Sequence, residues 1–230
     1  PLDIGRITED HRFSYYSDQP DAGRAPGSRA ALTPIDEASY KREHAKPDGK
    51  YSWSRAPRYG GEVMEVGPAA RLINTYRAGI NPTLNALVDR TCGEIGIGHE
   101  QLVSVLGRHT SRWILAKLTL DTLRRDIQRV KADELAFIER DMPKNASGVG
   151  LTEATRGALG HWIETDDKGL IRRYEMVVPT TWNLSPRDAA GRPGAVEQML
   201  IGTRIADPEN PMELARIVRS SDPCMACSVH

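Results

Sequence analysis

Two cysteines and a histidine stand three residues apart in the string Asp222-Pro223-Cys224-Met225-Ala226-Cys227-Ser228-Val229-His230. A Cys-x-x-Cys turn aims two thiolates at one point, the spacing that a soft metal ion needs. Three readings compete on chemistry alone: half of a metal site, a redox dithiol, and an inert pair in a fraying tail. Zinc held by Cys224, Cys227 and His230 is the plainest form of the first. The third cysteine, Cys92 beside Gly93, reads as a small buried residue. His99 and His109 read as capping or core-edge residues, since neither has a metal-ligating partner at i+4.

The elements that must position this string are mostly helical. The chain has 230 residues with 31 basic and 31 acidic side chains. A net charge of zero argues against a nucleic-acid binder or a polybasic membrane anchor. Three cysteines are too few for a disulfide scaffold. No apolar run approaches the ~20 residues of a membrane span, and no signal peptide is expected. Residues 1–60 are polar and rich in Pro and Gly, with turn chemistry at residues 18–23 and 25–27. They form an extended, loop-rich segment packed on the rest of the chain or on a partner. Tyr51-Ser52-Trp53-Ser54-Arg55-Ala56-Pro57-Arg58-Tyr59 suits a rigid, packed loop. Asn81-Pro82 caps a helix that carries Leu84, Leu87 and Val88 on one face. Trp113, Ala116, Leu120, Leu123, Ile127, Val130 and Phe137 fall on alternating steps of three and four, interrupted only by Glu134. That pattern predicts one long helix over 113–137, its apolar stripe in the core and its charged face in solvent or on a subunit. Gly148-Val149-Gly150 reads as a loop. A hairpin follows, with Asp166-Asp167-Lys168-Gly169 as its turn and Tyr174 to Val178 as the returning strand. A last helix, roughly 212–219, delivers the cysteine string.

The string Asp-Pro-Cys-x-x-Cys-x-x-His resembles the C-terminal signature of the nickel–iron hydrogenase large subunit. Three further blocks carry the same resemblance. They are residues 51–71, residues 152–162 around Arg156, and Val178-Pro179-Thr180-Thr181-Trp182-Asn183 with Ser185-Pro186-Arg187. The family more often has lysine at Arg55, leucine at Ala69, proline at Thr155 and proline at Arg204. The changes at Arg55 and Ala69 are expected to bear on packing only. The resemblance implies a mainly α fold with small β-hairpin elements and a helix-bundle core. Residues 61–230 are then a helical metal-site domain within a larger subunit. It also implies a Ni–Fe centre whose iron carries carbon monoxide and cyanide, a Mg²⁺ near the C-terminus, and reversible oxidation of H₂ to protons and electrons. Cys224 resembles a terminal nickel ligand and proton acceptor, and Cys227 a bridge between the metals. Arg156 and Asp222 resemble the charged canopy over the open face, although a purely structural pair is the plain alternative. Pro179 and Thr180 correspond to the region that bonds a cyanide, and Thr180 could equally be a turn or cap residue. The Met176 carbonyl and His230 correspond to magnesium ligands.

The family's other Cys-x-x-Cys is not in this sequence, so the chain resembles the C-terminal portion of a large subunit. The implied partners are the N-terminal portion with the second cysteine pair and a small subunit that holds the iron–sulfur clusters. An end at His230 is what family maturation would leave. Family large subunits travel with a signal-bearing small subunit, which places a periplasmic or membrane-peripheral location ahead of a cytoplasmic one. Two alternatives to a catalytic subunit stand beside it. One is an H₂ sensor with slow turnover; the other is a zinc-binding structural or interaction domain.

Overall fold

Capping and turn residues decide where most elements begin and end. In chain order these are β1 (Ile7–Asp10), α1 (Glu37–His44), β2 (Ala56–Tyr59), α2 (Pro68–Ala78), α3 (Pro82–Ile95) and α4 (Val105–Ile127). Then come β3 (Ser147–Ala154), β4 (Gly157–Thr165), β5 (Ile171–Val177), α5 (Pro179–Asn183), α6 (Ala195–Leu200), α7 (Met212–Ser220) and α8 (Met225–Ser228). The computed structural model describes residues 2–17, 25–28, 32–135 and 137–228. The turn expected at residues 18–23 and the ligand expected at His230 lie outside the described residues. The chain divides into two units. One comprises residues 1–67, 147–164 and 171–230; the other comprises residues 68–146 and 165–170.

The first unit is built on two small sheets. Strands β1 and β2 pair antiparallel, with Ile7 opposite Tyr59 and Asp10 opposite Ala56. The stretch read as a packed loop at residues 51–59 is therefore a strand in its second half. Pro57 is tolerated there because a two-stranded ribbon has only edges. Strands β3, β4 and β5 form a three-stranded sheet in that order. Ala154 faces Gly157 across the β3–β4 turn, which leaves Thr155 and Arg156 at its tip. Ile7, Trp162, Val177 and Trp182 form the buried core, with Tyr59, Met64 and Val66 against it.

Gly148-Val149-Gly150 is part of β3 rather than a loop. Backbone pairing with β4 outweighs the low strand preference of glycine there. The turn expected at Asp166-Asp167-Lys168-Gly169 is present. The Asp166 carboxylate accepts bonds from the Lys168 and Leu170 backbone N–H groups, and Gly169 sits at φ 83°.

The second unit is helical. Asn81 caps α3 by accepting from the Leu84 N–H at 3.0 Å, and Gly96 ends it in the left-handed region at φ 70°. Its core holds Leu72, Leu84, Val88, Cys92, Leu102 and Ile114. Cys92 is buried as expected, and burial pushes its thiol up, which suits an inert residue. His99 lies against the Tyr76 ring and pairs with Asp89; His109 bonds Arg112.

The long helix differs from its expectation in two ways. It spans Val105–Ile127, because the Ser104 hydroxyl accepts from the Gly107 N–H and starts it eight residues before Trp113. Val130 and Phe137 fall beyond its end. The stripe expected in the core is exposed, Trp113 at 76% and Ile127 at 62%. The buried face is instead lined by Gly107, Ser111 and Ile114. Small residues let α4 approach its neighbours closely, and steps of three and four recur on both faces. Among the described residues, no helix is long and apolar enough to cross a membrane.

Candidate metal centre

The first unit brings the cysteine string against helix α5. Helix α7 ends where the Asp222 N–H bonds the Arg219 carbonyl at 3.0 Å. Asp222 takes φ 52°, a left-handed conformation that a short acidic side chain tolerates better than most. Pro223 then redirects the chain, and the single turn α8 follows. The Cys227 N–H donates to the Cys224 carbonyl at 3.1 Å, which brings both cysteines to one side of that turn. Both are half-buried free thiols.

Helix α5 braces this turn at both ends. Pro179 occupies its first turn, where a missing N–H does no harm. The Thr180 hydroxyl accepts from the Cys224 N–H at 3.1 Å. The Thr181 hydroxyl donates to the Cys227 carbonyl at 3.2 Å. Both threonines are buried. Asn183 anchors α5 in turn: its amide accepts from the Val66 N–H and donates to the Val66 carbonyl, each at 2.9 Å.

That anchor places Arg156. Gly67 and Gly157 pass so closely that a Cβ on Gly157 would lie 2.6 Å from the Gly67 nitrogen. From the hairpin tip, Arg156 Nε donates to the Asp222 carbonyl at 3.1 Å and lies 3.5 Å from Asp222 Oδ2. The two residues expected to pair are therefore together. Their side chains are a third or more exposed, so the pair contributes only ~0–1 kcal/mol to stability. Its effect is on charge near the sulfurs. Cys224 is held below the usual thiol range, first by bonds from the Cys227 thiol and backbone N–H and then by the Arg156 charge. Burial pushes the Cys227 thiol up, and its bond to Cys224 pushes it further. The pair thus divides into one sulfur inclined to thiolate and one inclined to hold a proton.

The Met176 carbonyl accepts from Arg55 at 2.8 Å. The same guanidinium lies 3.2 Å from Glu9 and 3.3 Å from Glu175, and all three side chains are largely buried. Arg55 therefore does more than pack: it touches the backbone oxygen expected to serve magnesium. Thr181 and Arg55 were both missed in the sequence. Thr181 had a visible signal, since it neighbours Thr180 on one short helix. Arg55 had a weaker one, because its acids stand 46 and 120 residues away.

Two soft donors on one turn, one of them held below the usual thiol range, fit half of a thiolate-bound metal site. Among the described residues, no group of three or more His, Cys, Asp or Glu converges, so the described part offers those two sulfurs.

Comparison with known proteins gives this geometry its context. The family model for nickel-dependent hydrogenases matches residues 1–230. The uptake hydrogenase large subunit of Azotobacter chroococcum is 40% identical over 221 residues, which is 89% of this chain and 35% of that protein. The hydrogenase-1 large chain of Escherichia coli is 42% identical over 191 residues, 79% of this chain and 32% of that one. The Ni-Fe-Se hydrogenase structure from D. vulgaris Hildenborough superposes with a TM-score of 0.82 at 31% identity, covering 100% of this chain and 46% of that chain. The chain thus spans about a third of its curated relatives' length and less than half of the solved chain. With a family match from one end to the other, the chain belongs to the nickel-dependent hydrogenase family.

Proposed function

We propose that this chain is the C-terminal portion of a hydrogenase catalytic subunit, which oxidises H₂ reversibly to protons and electrons at a Ni–Fe centre. One observation carries the reading. Cys224 and Cys227 share one turn held to α5 by Thr180 and Thr181, with the Arg156 guanidinium beside them. When bound, the metal pair supplies Lewis-acid polarisation of H₂. Cys224 and Cys227 would hold the metal pair, Cys224 on the nickel, and the other half of the donor set would come from a second cysteine pair. The Cys224 sulfur is the proton acceptor. Bonds from the Cys227 thiol and backbone N–H, with the Arg156 charge, make that sulfur less basic than a free thiol. Arg156 holds positive charge beside that sulfur, and Asp222 fixes the guanidinium through its carbonyl and carboxylate.

The buried Thr180 hydroxyl accepts from Cys224, so its own proton remains to donate toward a cyanide on iron. Pro179 sets the turn that aims it. The Met176 carbonyl and His230 would serve a magnesium ion, with Arg55 fixing the carbonyl. Helices α2–α4 would belong to a larger bundle of the complete subunit. Cys224 and Cys227 are committed and Cys92 is buried in a helical core, so electron-relay clusters fall to a small subunit.

The test is infrared spectroscopy with metal analysis of the assembled complex. Carbonyl and cyanide bands, with nickel and iron near equimolar, are expected. Cys224→Ser and Cys227→Ser should each lose the nickel. Zinc in place of both metals, with no diatomic-ligand bands, would overturn the reading in favour of a structural zinc site.

A further inference from the structure

Three aromatic rings and a histidine close on one another in the first unit, apart from its buried core. Tyr15 follows β1, Tyr40 and His44 stand on α1, and Trp53 precedes β2. Backbone bonds tie these segments together. The Tyr15 N–H donates to the Ser52 carbonyl at 2.8 Å, and the Ile35 N–H donates to the Tyr15 carbonyl at 3.1 Å. Asp36 caps α1 by accepting from the Ser39 N–H at 2.7 Å, and a spacing of four sets Tyr40 and His44 on one helix face. The Tyr15 ring centre lies 4.7 Å from that of Tyr40 and 4.9 Å from that of Trp53. Tyr40 stacks on His44 at 5.6 Å and on Trp53 at 6.0 Å.

Exposure is graded across the group. Tyr15 is 3% exposed, Tyr40 is half-buried, and Trp53 is 42% exposed. The Tyr15 hydroxyl meets His44 Nδ1 at 2.8 Å, and His44 itself is exposed. With the imidazole proton on Nε2, the hydroxyl donates to Nδ1. A buried hydroxyl needs only some acceptor, and a backbone carbonyl would serve. Here the acceptor is a base in contact with water. That difference matters because a phenol loses an electron readily only when its proton leaves too. Burial pushes the Tyr15 hydroxyl up, and the neighbouring Tyr40 pushes it further, so the phenolate is not formed beforehand. The proton must pass to a base within hydrogen-bond reach, and His44 lies within it. The electron has its own route, since the touching rings run from Tyr15 to Trp53 at the surface.

We propose that Tyr15, His44, Tyr40 and Trp53 form a redox site that reduces peroxyl radicals at the protein surface, a function separate from the metal centre. The radical takes one electron from Trp53 and, with a proton from solvent, becomes a hydroperoxide. Tyr15 refills Trp53 directly or through Tyr40. As it does so its O–H bond breaks and an N–H bond forms at His44 Nδ1. Tyr15 is left as a neutral phenoxyl radical and His44 as imidazolium. A soluble thiol then returns one electron to Tyr15 and releases its own proton to solvent, while the His44 proton moves back to the phenol oxygen. The sum is peroxyl radical plus thiol giving hydroperoxide plus thiyl radical.

The experiment flashes a ruthenium polypyridyl photo-oxidant beside the assembled complex and reads organic radicals by electron paramagnetic resonance. A tyrosyl radical is expected in the wild type and should vanish in Tyr15→Phe, which keeps the ring. It should persist in Tyr174→Phe, a control whose hydroxyl bonds His161 in the same way. His44→Gln offers an acceptor that is not a base. It should slow Tyr15 oxidation by ~100-fold or more and leave the radical on Trp53 instead, with the melting temperature unchanged. Heavy water should slow the wild type. Under a steady peroxyl flux from a water-soluble azo initiator with added thiol, Trp53 should be oxidised several-fold faster in Tyr15→Phe than in the wild type, read by peptide mass spectrometry. Three results would overturn the proposal: a tyrosyl signal that survives Tyr15→Phe; Tyr15 oxidised as fast in His44→Gln as in the wild type; or Trp53 oxidised equally with and without the Tyr15 hydroxyl. Should Tyr15→Phe fail to fold, His44→Gln decides the matter, because that side chain lies outside the core.

Discussion

Thr180→Val tests whether α5 holds the cysteine turn. The substitution keeps the shape and the β-branch but removes the acceptor for the Cys224 N–H, now 3.1 Å away. Thr180 is only 2% exposed, so no water readily replaces the lost oxygen. An orphaned backbone donor costs ~1–3 kcal/mol. At ~1.4 kcal/mol per factor of ten, local opening of the turn should become roughly 5- to 150-fold more frequent. Hydrogen exchange read at the Cys224 amide in the purified protein measures that opening directly. Exchange there should accelerate within this range, whereas the Val88 and Leu102 amides of the helical unit should not change. Thr180→Ser retains the acceptor and should exchange like wild type. If Thr180→Val leaves the Cys224 amide as protected as before, the hydroxyl is not its partner and the bracing argument fails.

Two further perturbations probe what holds the first unit together. Arg58 and Asp188 form a buried pair, Nε to Oδ2 at 2.9 Å. Asp188→Asn removes the counter-charge of the buried guanidinium, which keeps only neutral acceptors at Ser185 Oγ and the Pro57, Pro186 and Arg192 carbonyls, and should cost ~3–5 kcal/mol in thermal or denaturant unfolding. For pH, burial alone would raise the Asp188 carboxyl, but the Arg58 bond, the Arg192 N–H and both positive charges outweigh it and hold it below the usual range. Its folded pKa is thus depressed, so its stabilisation is present above the unfolded value near 4 and disappears as pH falls through the lower folded value. The gap between wild type and Asp188→Asn should narrow below about pH 4; a gap constant across that range would refute the assignment. Gly157→Ala is expected to unfold the hairpin tip, since φ 131° strains any side chain and the new Cβ would meet backbone at 2.6 Å. It should lower the melting temperature and increase access of an alkylating reagent to Cys224, and a variant as stable and as unreactive as wild type would count against the close approach.

Part of this was legible in the chain itself, because it depends on neighbours a few residues apart. Cys-x-x-Cys spacing brings two sulfurs to one side of any helical turn, and the structure puts them there. Asn81-Pro82 starts α3 by a bond to Leu84, and Asp166 closes its turn on residues two and four positions later. The Arg156–Asp222 pairing was also anticipated, through likeness to a known motif rather than through spacing. Contacts of longer range were not readable. Thr181 meets Cys227 across 46 residues, Arg55 meets Met176 across 121, and Val66 meets Asn183 across 117. No local pattern encodes such partners, since each depends on how separately formed elements pack. Helix α4 shows the limit most clearly. A period near 3.6 reveals that a face is apolar, but α4 has two such faces. Only the packed helices decide that Ile114 turns inward and Trp113 outward, because small residues at Gly107 and Ser111 allow close approach on one side alone.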